Sequence, residues 1–248
     1  MRYNKDEDYF KIINTEEKAY FLGLLFADGT IASDRISTVG KLVKRNQIAI
    51  ALQERDKNIL IRFLQELNSN YPIYNIPNNL KNANWSNQCC VTITSEKMSQ
   101  DLIRLGCSPN KTTNISFPNT EQVPDNLLSS FIRGYFDGDG CIWIGKRKKI
   151  EFNDGALNKK RTRIIHNIKF TFTGHINFIT VLKTQLIQKI GLNDVKLQSY
   201  KNPLNTTLEY SGKKNIEKLH NFMYNNSTVY LIRKKIIFDQ ILKRADIQ

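Results

Sequence analysis

The chain has 248 residues and a formal net charge of +14, which is length enough for one large domain or two ordinary ones and a charge that favours a polyanionic partner. No apolar run approaches the ~20 residues needed to cross a bilayer, and Met1-Arg2-Tyr3-Asn4-Lys5-Asp6 lacks the apolar core of a secretory signal. A membrane protein or a secreted one is not expected; the expected setting is intracellular, in cytoplasm, nucleoid or organelle.

In chain order, residues 16–27 pattern as a helix with Asn14 or Thr15 as its N-cap, broken at Gly29. Residues 30–37 and 47–52 pattern as strands around a basic segment, residues 40–45. Apolar side chains at Ile59, Leu60, Phe63, Leu64 and Leu67 give residues 56–67 a helical period. Residues 71–76 and 88–94 form a second strand pair around a turn-rich stretch, and a helix over residues 95–105 stops at Gly106. Pro109, Pro118 and Pro124 mark residues 108–125 as a linker.

The second half repeats the scheme. A helix is expected over residues 126–138, then strands over 141–148 and 164–174 around the turn signal Asn153-Asp154-Gly155. A helix over 176–190, strands over 195–200 and 207–211, and helices over 213–223 and 231–243 complete the chain. The order helix, two strands, helix, two strands, helix is read twice. The expected fold class is therefore α+β, in two pseudo-symmetric αββαββα halves, residues 1–120 (with a linker from about residue 108) and residues 121–248. Such a duplication within one chain is equivalent in shape to a dimer on a near-palindrome.

Each half opens on one pattern. Phe21-Leu22-Gly23-Leu24-Leu25-Phe26-Ala27-Asp28-Gly29 and Ile132-Arg133-Gly134-Tyr135-Phe136-Asp137-Gly138-Asp139-Gly140 both set a small residue four positions after a glycine and close on Asp-Gly. Residues i and i+4 stack along a helix, so Gly23 with Ala27, and Gly134 with Gly138, form stripes along which two helix backbones can approach closely. Glycine past the last turn is a usual stop. The acid before it is the anomaly. A carboxylate at a helix C-terminus meets the negative end of the macrodipole, at a cost of about 0.3–1 kcal/mol when exposed, and packing the helices together sets Asp28 against Asp139. One copy alone reads as an Asp-Gly turn. Two copies in matching context read better as a divalent-cation site, because hard cations such as Mg²⁺ take carboxylate and carbonyl oxygens.

These segments resemble the paired motifs of LAGLIDADG homing endonucleases, in the single-chain form that carries two motifs. The second copy matches closely; the first has Phe26 where the family often carries an acid that is not its metal ligand. Much less specific flanking patterns extend the resemblance over most of the chain. It implies halves packed through the motif helices, sheets forming a DNA-binding saddle, and a monomer that cuts both strands of a specific DNA site with Mg²⁺, Mn²⁺ or Ca²⁺ also being able to occupy the sites. It implies metal ligation by Asp28 and Asp139, with the backbone carbonyls of Ala27 and Gly138 as further ligands. In the family a lysine follows each half's last sheet strands, and the matching positions are Lys111 and Lys234, with Lys235 a rival for the second. Each also reads as a solvated surface lysine. Gln53 reads as a residue that positions a hydration-shell water or as a plain loop residue. Paired cations suit phosphodiester hydrolysis, which needs an activated water, charge stabilisation and relief of the leaving oxygen.

Charge is uneven: residues 1–120 hold 15 Lys and Arg against 12 Asp and Glu, and residues 121–248 hold 22 against 11. An antiparallel sheet with one face on the core leaves the other free, and a two-stranded ribbon fits the DNA major groove, where Arg and Lys fork onto guanine and Gln onto adenine. Candidate DNA contacts are Arg35, Lys44, Arg45 and Gln47 in the first half, and Lys146, Arg147, Lys148, Arg161, Arg163 and Lys169 in the second. The plain alternative is a pair of charged hairpins that keep the chain soluble.

The runner-up function is an intron maturase that binds RNA and has little nuclease activity. Both motif acids and the candidate lysines argue for the nuclease, since RNA binding alone does not need them. No helix-turn-helix module supports a DNA-binding regulator, and the ending Asp246-Ile247-Gln248, without a His-Asn splice pair, argues against an intein-embedded enzyme. Cys89, Cys90, Cys107 and Cys141 show no C-x-x-C spacing and are expected as reduced thiols. His166, His175 and His220 are too scattered for a zinc site and read as surface or core residues. No Walker-type loop supports nucleotide hydrolysis.

Overall fold

A computed structural model describes residues 3–32, 34–77, 86–109, 111, 115–152, 160–199 and 203–244; the side chains of residues 147, 149–152 and 160–165 lie outside the described residues. The first motif forms α1 (Glu16–Asp28), and of the two cap candidates Thr15 serves, its side chain accepting from the Lys18 N–H at 3.3 Å. Every residue from Ala19 to Ala27 is buried, as a helix apolar on all sides requires. The second motif forms α4 (Leu128–Asp139), buried over most of its length. These two make the most extensive helix pair in the molecule. Glycine sets how closely they pack: a Cβ on Gly23 would sit 2.0 Å from the Phe131 carbonyl oxygen, and one on Gly134 2.0 Å from that of Tyr20. The small-residue stripes are the seam between the halves.

The terminal glycines of the motifs work differently from the expectation. Gly29 and Gly140 have φ of −74° and −92°, so neither uses the left-handed backbone that usually favours glycine after a helix. The chain passes straight from helix into strand, and the requirement is steric. A Cβ on Gly29 would lie 2.6 Å from the Leu25 carbonyl oxygen, and one on Gly140 2.1 Å from Phe136 Cδ2.

A four-stranded antiparallel sheet follows each motif helix. The first has the order β1 (Gly29–Ile31), β4 (Gln47–Gln53), β6 (Gln88–Thr94), β5 (Tyr74–Ile76), with β2 (Arg35–Ile36) and β3 (Leu42–Val43) forming a separate ribbon. The second has the order β7 (Gly140–Phe152), β8 (Lys160–His175), β10 (Asn205–Tyr210), β9 (Gln198–Ser199). Strand order and register both repeat: Gly29 pairs with Ile50, and Gly140 with Phe172. Alternation buries Ile48, Ile50 and Leu52 on β4 and Ile168, Phe170 and Phe172 on β8. Against those faces pack α2 (Lys57–Glu66), α3 (Glu96–Arg104) and α5 (Ile176–Ile190). Two further helices, α6 (Lys213–Tyr224) and α7 (Ile232–Lys243), pack on each other. Phe26 reaches across the seam to Phe131 and Phe178, with ring centroids 5.2 and 6.1 Å away, so one apolar core runs through both halves.

The strand expected over residues 30–37 divides between β1 and β2, and those over 71–76 and 195–200 shrink to β5 and β9. β7 and β8 instead run further into the charged hairpin than the sequence pattern indicated. All four cysteines are free thiols. No helix among the described residues is long and apolar enough to cross a membrane.

Candidate active site

Asp28 and Asp139 are the last residues of α1 and α4, so the close seam delivers two carboxylates to one place. Both reach the surface, but protein packs around their inner sides. That loss of solvent raises Asp139 to about 6, with the neighbouring Asp28 charge as the second cause. Asp28 is raised for the same first reason, opposed by the positive charges of Lys111, Lys234 and Arg233.

Each helix end also receives a lysine. The ammonium of Lys111 donates to the carbonyl oxygens of Leu25, at 3.0 Å, and Ala27. Lys234, buried at 4% exposure, donates to Phe136, to Asp137 at 2.8 Å and to Gly140 at 2.7 Å. These are carbonyls of the last turn and the residue beyond. Those of Leu25 and Phe136 also accept the N–H of Gly29 and Gly140, those of Ala27 and Asp137 stand where a helix offers no partner of its own, and the negative end of the dipole adds to their attraction for a cation. Burial lowers Lys111 and brings Lys234 down to about 8, against the opposing pull of nearby acids. The rival Lys235 goes elsewhere: its ammonium pairs with Asp239 at 2.9 Å, one turn along α7.

α7 is held over the site by contacts to both halves. Arg233 pairs with the buried Asp56 of the first half through its Nε, at 3.1 and 2.9 Å. The segment leading into α7 is tied to the motif helices by a polar network the sequence reading missed. Asp137 is 1% exposed, and its Oδ2 accepts from the Tyr20 hydroxyl at 2.8 Å and the Leu231 N–H at 2.7 Å. Burial raises its pKa in spite of those donors. Arg133, 2% exposed, donates from Nε to the Val229 carbonyl at 2.8 Å and pairs with Glu16 at 2.5 Å. Asp137 was visible in the motif, but its partners Tyr20 and Leu231 stand 117 and 94 positions away, and no local pattern announces them.

The other candidates fall in several places. The Ala27 carbonyl is engaged by Lys111, and Gly138 stands at the seam, where an added Cβ would meet that of Ala27 at 2.2 Å. Gln53 closes β4 opposite Gln88, and its Oε1 is buried without a hydrogen-bond partner. Arg35, Lys44, Arg45 and Gln47 come together around one surface groove of about 370 Å³, with Lys44 paired to Glu96 at 3.0 Å. Lys169 is exposed on β8 and paired with Glu209 at 3.1 Å. Lys146 and Lys148 are exposed too, but on β7 they alternate in phase with buried Ile142, whereas Lys169 pairs with Trp143. They therefore occupy the opposite face of the hairpin from Lys169. Arg147, Arg161 and Arg163 have side chains outside the described residues; their backbones belong to the β7–β8 pairing, Arg161 opposite Glu151 and Arg163 opposite Lys149.

Among the described residues no cluster of three or more His, Cys, Asp or Glu is arranged for a metal. The donor set at the seam is two carboxylates and neighbouring carbonyls. That composition fits a hard cation such as Mg²⁺, which keeps waters and takes phosphate oxygens as its remaining ligands, and does not fit zinc. Beside Asp139 lies a cavity of about 280 Å³, bordered by Ala27, Lys111, Tyr135, Thr173 and His175 among others.

No protein-family model matches the chain. Over 242 residues, 92% of the chain, it is 24% identical to part of the reverse gyrase of Methanocaldococcus jannaschii, and the match spans 13% of that protein's length. Among solved structures it is similar to the LAGLIDADG homing endonuclease I-LtrWI bound to target DNA, with TM-score 0.55 and 14% identity over 95% of this chain and 91% of the other. The LAGLIDADG meganuclease I-AabMI bound to uncleaved DNA gives TM-score 0.58 and 12% identity, covering 90% and 89%. I-CpaMI, also bound to uncleaved DNA, gives 0.55 and 13%, covering 93% and 91%. Each likeness takes in both halves. The chain has the two-half α+β fold of the LAGLIDADG homing endonucleases.

Proposed function

We propose that this protein is a site-specific double-strand DNA endonuclease, working as a monomer, whose motif aspartates hold divalent cations, Mg²⁺ in the first place. One observation carries the reading: two crowded carboxylates meet at the ends of adjoining helices, each helix end being also the seat of a lysine. A stable fold alone gains nothing from bringing like charges together at the negative ends of two dipoles. A cation shared with a phosphate gives that arrangement a purpose.

A bound divalent ion supplies Lewis-acid polarisation of the phosphate and a more acidic water. The chain's own residues do the rest. Asp28 and Asp139, as carboxylates, anchor the positive charge at the seam, and the pseudo-two-fold relation of their helices matches the two strands of a duplex. Lys111 and Lys234 fix the helix ends and place positive charge where negative charge develops on the phosphate. The groove of Arg35, Lys44, Arg45 and Gln47 and the basic β7–β8 hairpin hold the flanking duplex, so affinity falls as salt rises. The reading as an RNA-binding maturase has no feature of this geometry in its favour.

The test is strand-resolved cleavage of a randomised duplex library with Mg²⁺. Asp28→Asn and Asp139→Asn should each abolish cutting of at least one strand while duplex binding stays within a few-fold of wild type. Variants that cut both strands normally would remove the aspartates from the active site.

A further inference from the structure

The outer faces of the two sheets, which the endonuclease reading sets against DNA, differ close to the seam. The repeated register, Gly29 with Ile50 and Gly140 with Phe172, makes them comparable residue by residue. Three residues beyond these glycines the first half has Ala32, whose N–H donates to the Gln47 carbonyl. The second half has Trp143 there, paired with Lys169. Trp143 is out of phase with the buried Ile142, and Lys169 with the buried Ile168 and Phe170, so both stand on the outer face. The other described strand residues of that face are small or polar, among them Cys141, Thr171 and Glu209.

A solitary exposed apolar side chain needs no special account, and Trp143 is 50% exposed. A glycine inside a strand does need one, since it weakens the strand and marks a close approach. Gly145 does not have a left-handed backbone; what it provides is space. A Cβ there would sit 1.8 Å from the indole Cη2 and 2.2 Å from Cζ2. The indole therefore lies along β7 over Gly145, where any larger residue would lift it. Beside it the Lys169 ammonium, paired with Glu209 at 3.1 Å, adds charge to the apolar surface. The major groove offers the complement: acceptors for a lysine, and the C5-methyl group of thymine for an apolar side chain.

Resting on the endonuclease reading, we infer that Trp143 is a specificity-determining residue, its indole packing on the C5-methyl group of a thymine in the half-site of the second motif. The chain from Asp139 to Trp143 spans about 13 Å at the rise of a strand, and a base-pair step is about 3.4 Å, so the thymine lies within about five base pairs of the cut at Asp139. Ala32 makes no such demand on the other half-site. The competing account is that the indole only shields the backbone of β7, an edge strand.

The full-length wild-type protein and Trp143→Ala each select cleavable targets from a randomised duplex library with Mg²⁺, and thermal stability is measured in parallel. Wild-type targets should hold thymine at one position of that window, in one half-site only, and Trp143→Ala should relax the preference. Deoxyuridine in place of that thymine removes only the methyl group. It should weaken wild-type binding in a gel shift without Mg²⁺ about fourfold, the worth of one buried methyl, and leave binding by Trp143→Ala unchanged. Gly145→Ala keeps the indole but lifts it, and should lose the same discrimination. Shielding alone predicts a lower melting temperature with the discrimination between thymine and uracil intact in both variants. That result overturns the assignment, as does a wild-type target without thymine in the window. A wild-type protein that selects and cuts no duplex at all would instead refute the endonuclease reading, and this inference with it.

Discussion

The two motif ends reach one arrangement by different routes. At the first, a half-buried lysine from the connector after α3 takes two carbonyls at the end of α1. At the second, a buried lysine from the first turn of α7 takes three carbonyls at the end of α4, and the described residues of the N-terminal half include no helix equivalent to α7. Two residues before each motif aspartate the contrast repeats: Phe26 packs on rings across the seam, whereas Asp137 is a buried acid that binds the chain entering α7. The difference teaches that the last carbonyls of a helix C-terminus select for a cation, from whichever segment can deliver one. Where the lysine comes from a helix start, further polar groups are recruited to seat that helix.

The largest expected effect follows directly. Lys234→Met takes the ammonium from three carbonyls and from Asp137 the positive charge that most favours its ionised form, and should cost about 3–5 kcal/mol of unfolding free energy. Lys111→Met, at the more open end, should cost about 1–2 kcal/mol. Urea unfolding of both variants measures the gap. Equal losses would mean that the two lysines are held alike and that the contrast between the ends has no energetic content.

A smaller effect tests the recruited network. Tyr20→Phe removes one donor from Asp137 and leaves the Leu231 N–H as the remaining bond to Oδ2, at a cost of about 1–2 kcal/mol. The second motif helix offers the control. Phe131 precedes Gly134 as Tyr20 precedes Gly23, and its counterpart contact is to Phe26, which needs no hydroxyl. If Tyr20→Phe is silent in unfolding, Asp137 is held by backbone alone.

What the sequence could and could not disclose follows the range of the forces involved. β6 and α5 were legible to the residue, because strict alternation or unbroken helical pattern fills their whole length. The edge strands β5 and β9 were overestimated, since the extent of an edge is set by how far one neighbour reaches and not by its own pattern. The hairpin β7–β8 was underestimated because backbone pairing continues through a run of charged residues whose sequence carries no apolar alternation. At the site, the duplication exposed Asp28 and Asp139, whereas Lys111 and Lys234 were placed through a family resemblance. The Asp137–Tyr20–Leu231 contacts depend on pairings across the whole chain, which no single segment encodes.

The smallest effect concerns what the site does to stability. Asp139 is raised to about 6 by its crowded surroundings and by Asp28. A folded-state value above that of the unfolded chain means that the native protein binds the extra proton between about pH 4 and 6, so stability falls as pH rises through that window. Taken at face value the shift amounts to about 3 kcal/mol, but the carboxylate faces solvent on one side, and screening reduces the expected cost to about 1 kcal/mol. Asp139→Asn should therefore gain about 1 kcal/mol in urea unfolding at neutral pH, with the gain fading toward pH 4. Mg²⁺ should stabilise the wild-type protein more than the variant, because a cation relieves the same repulsion that the substitution removes. A variant that is less stable than wild type, or a gain that ignores both pH and Mg²⁺, would show that favourable contacts hold Asp139 in place. The second motif end would then be an ordinary helix terminus, and the likeness between the two ends would stop at their sequences.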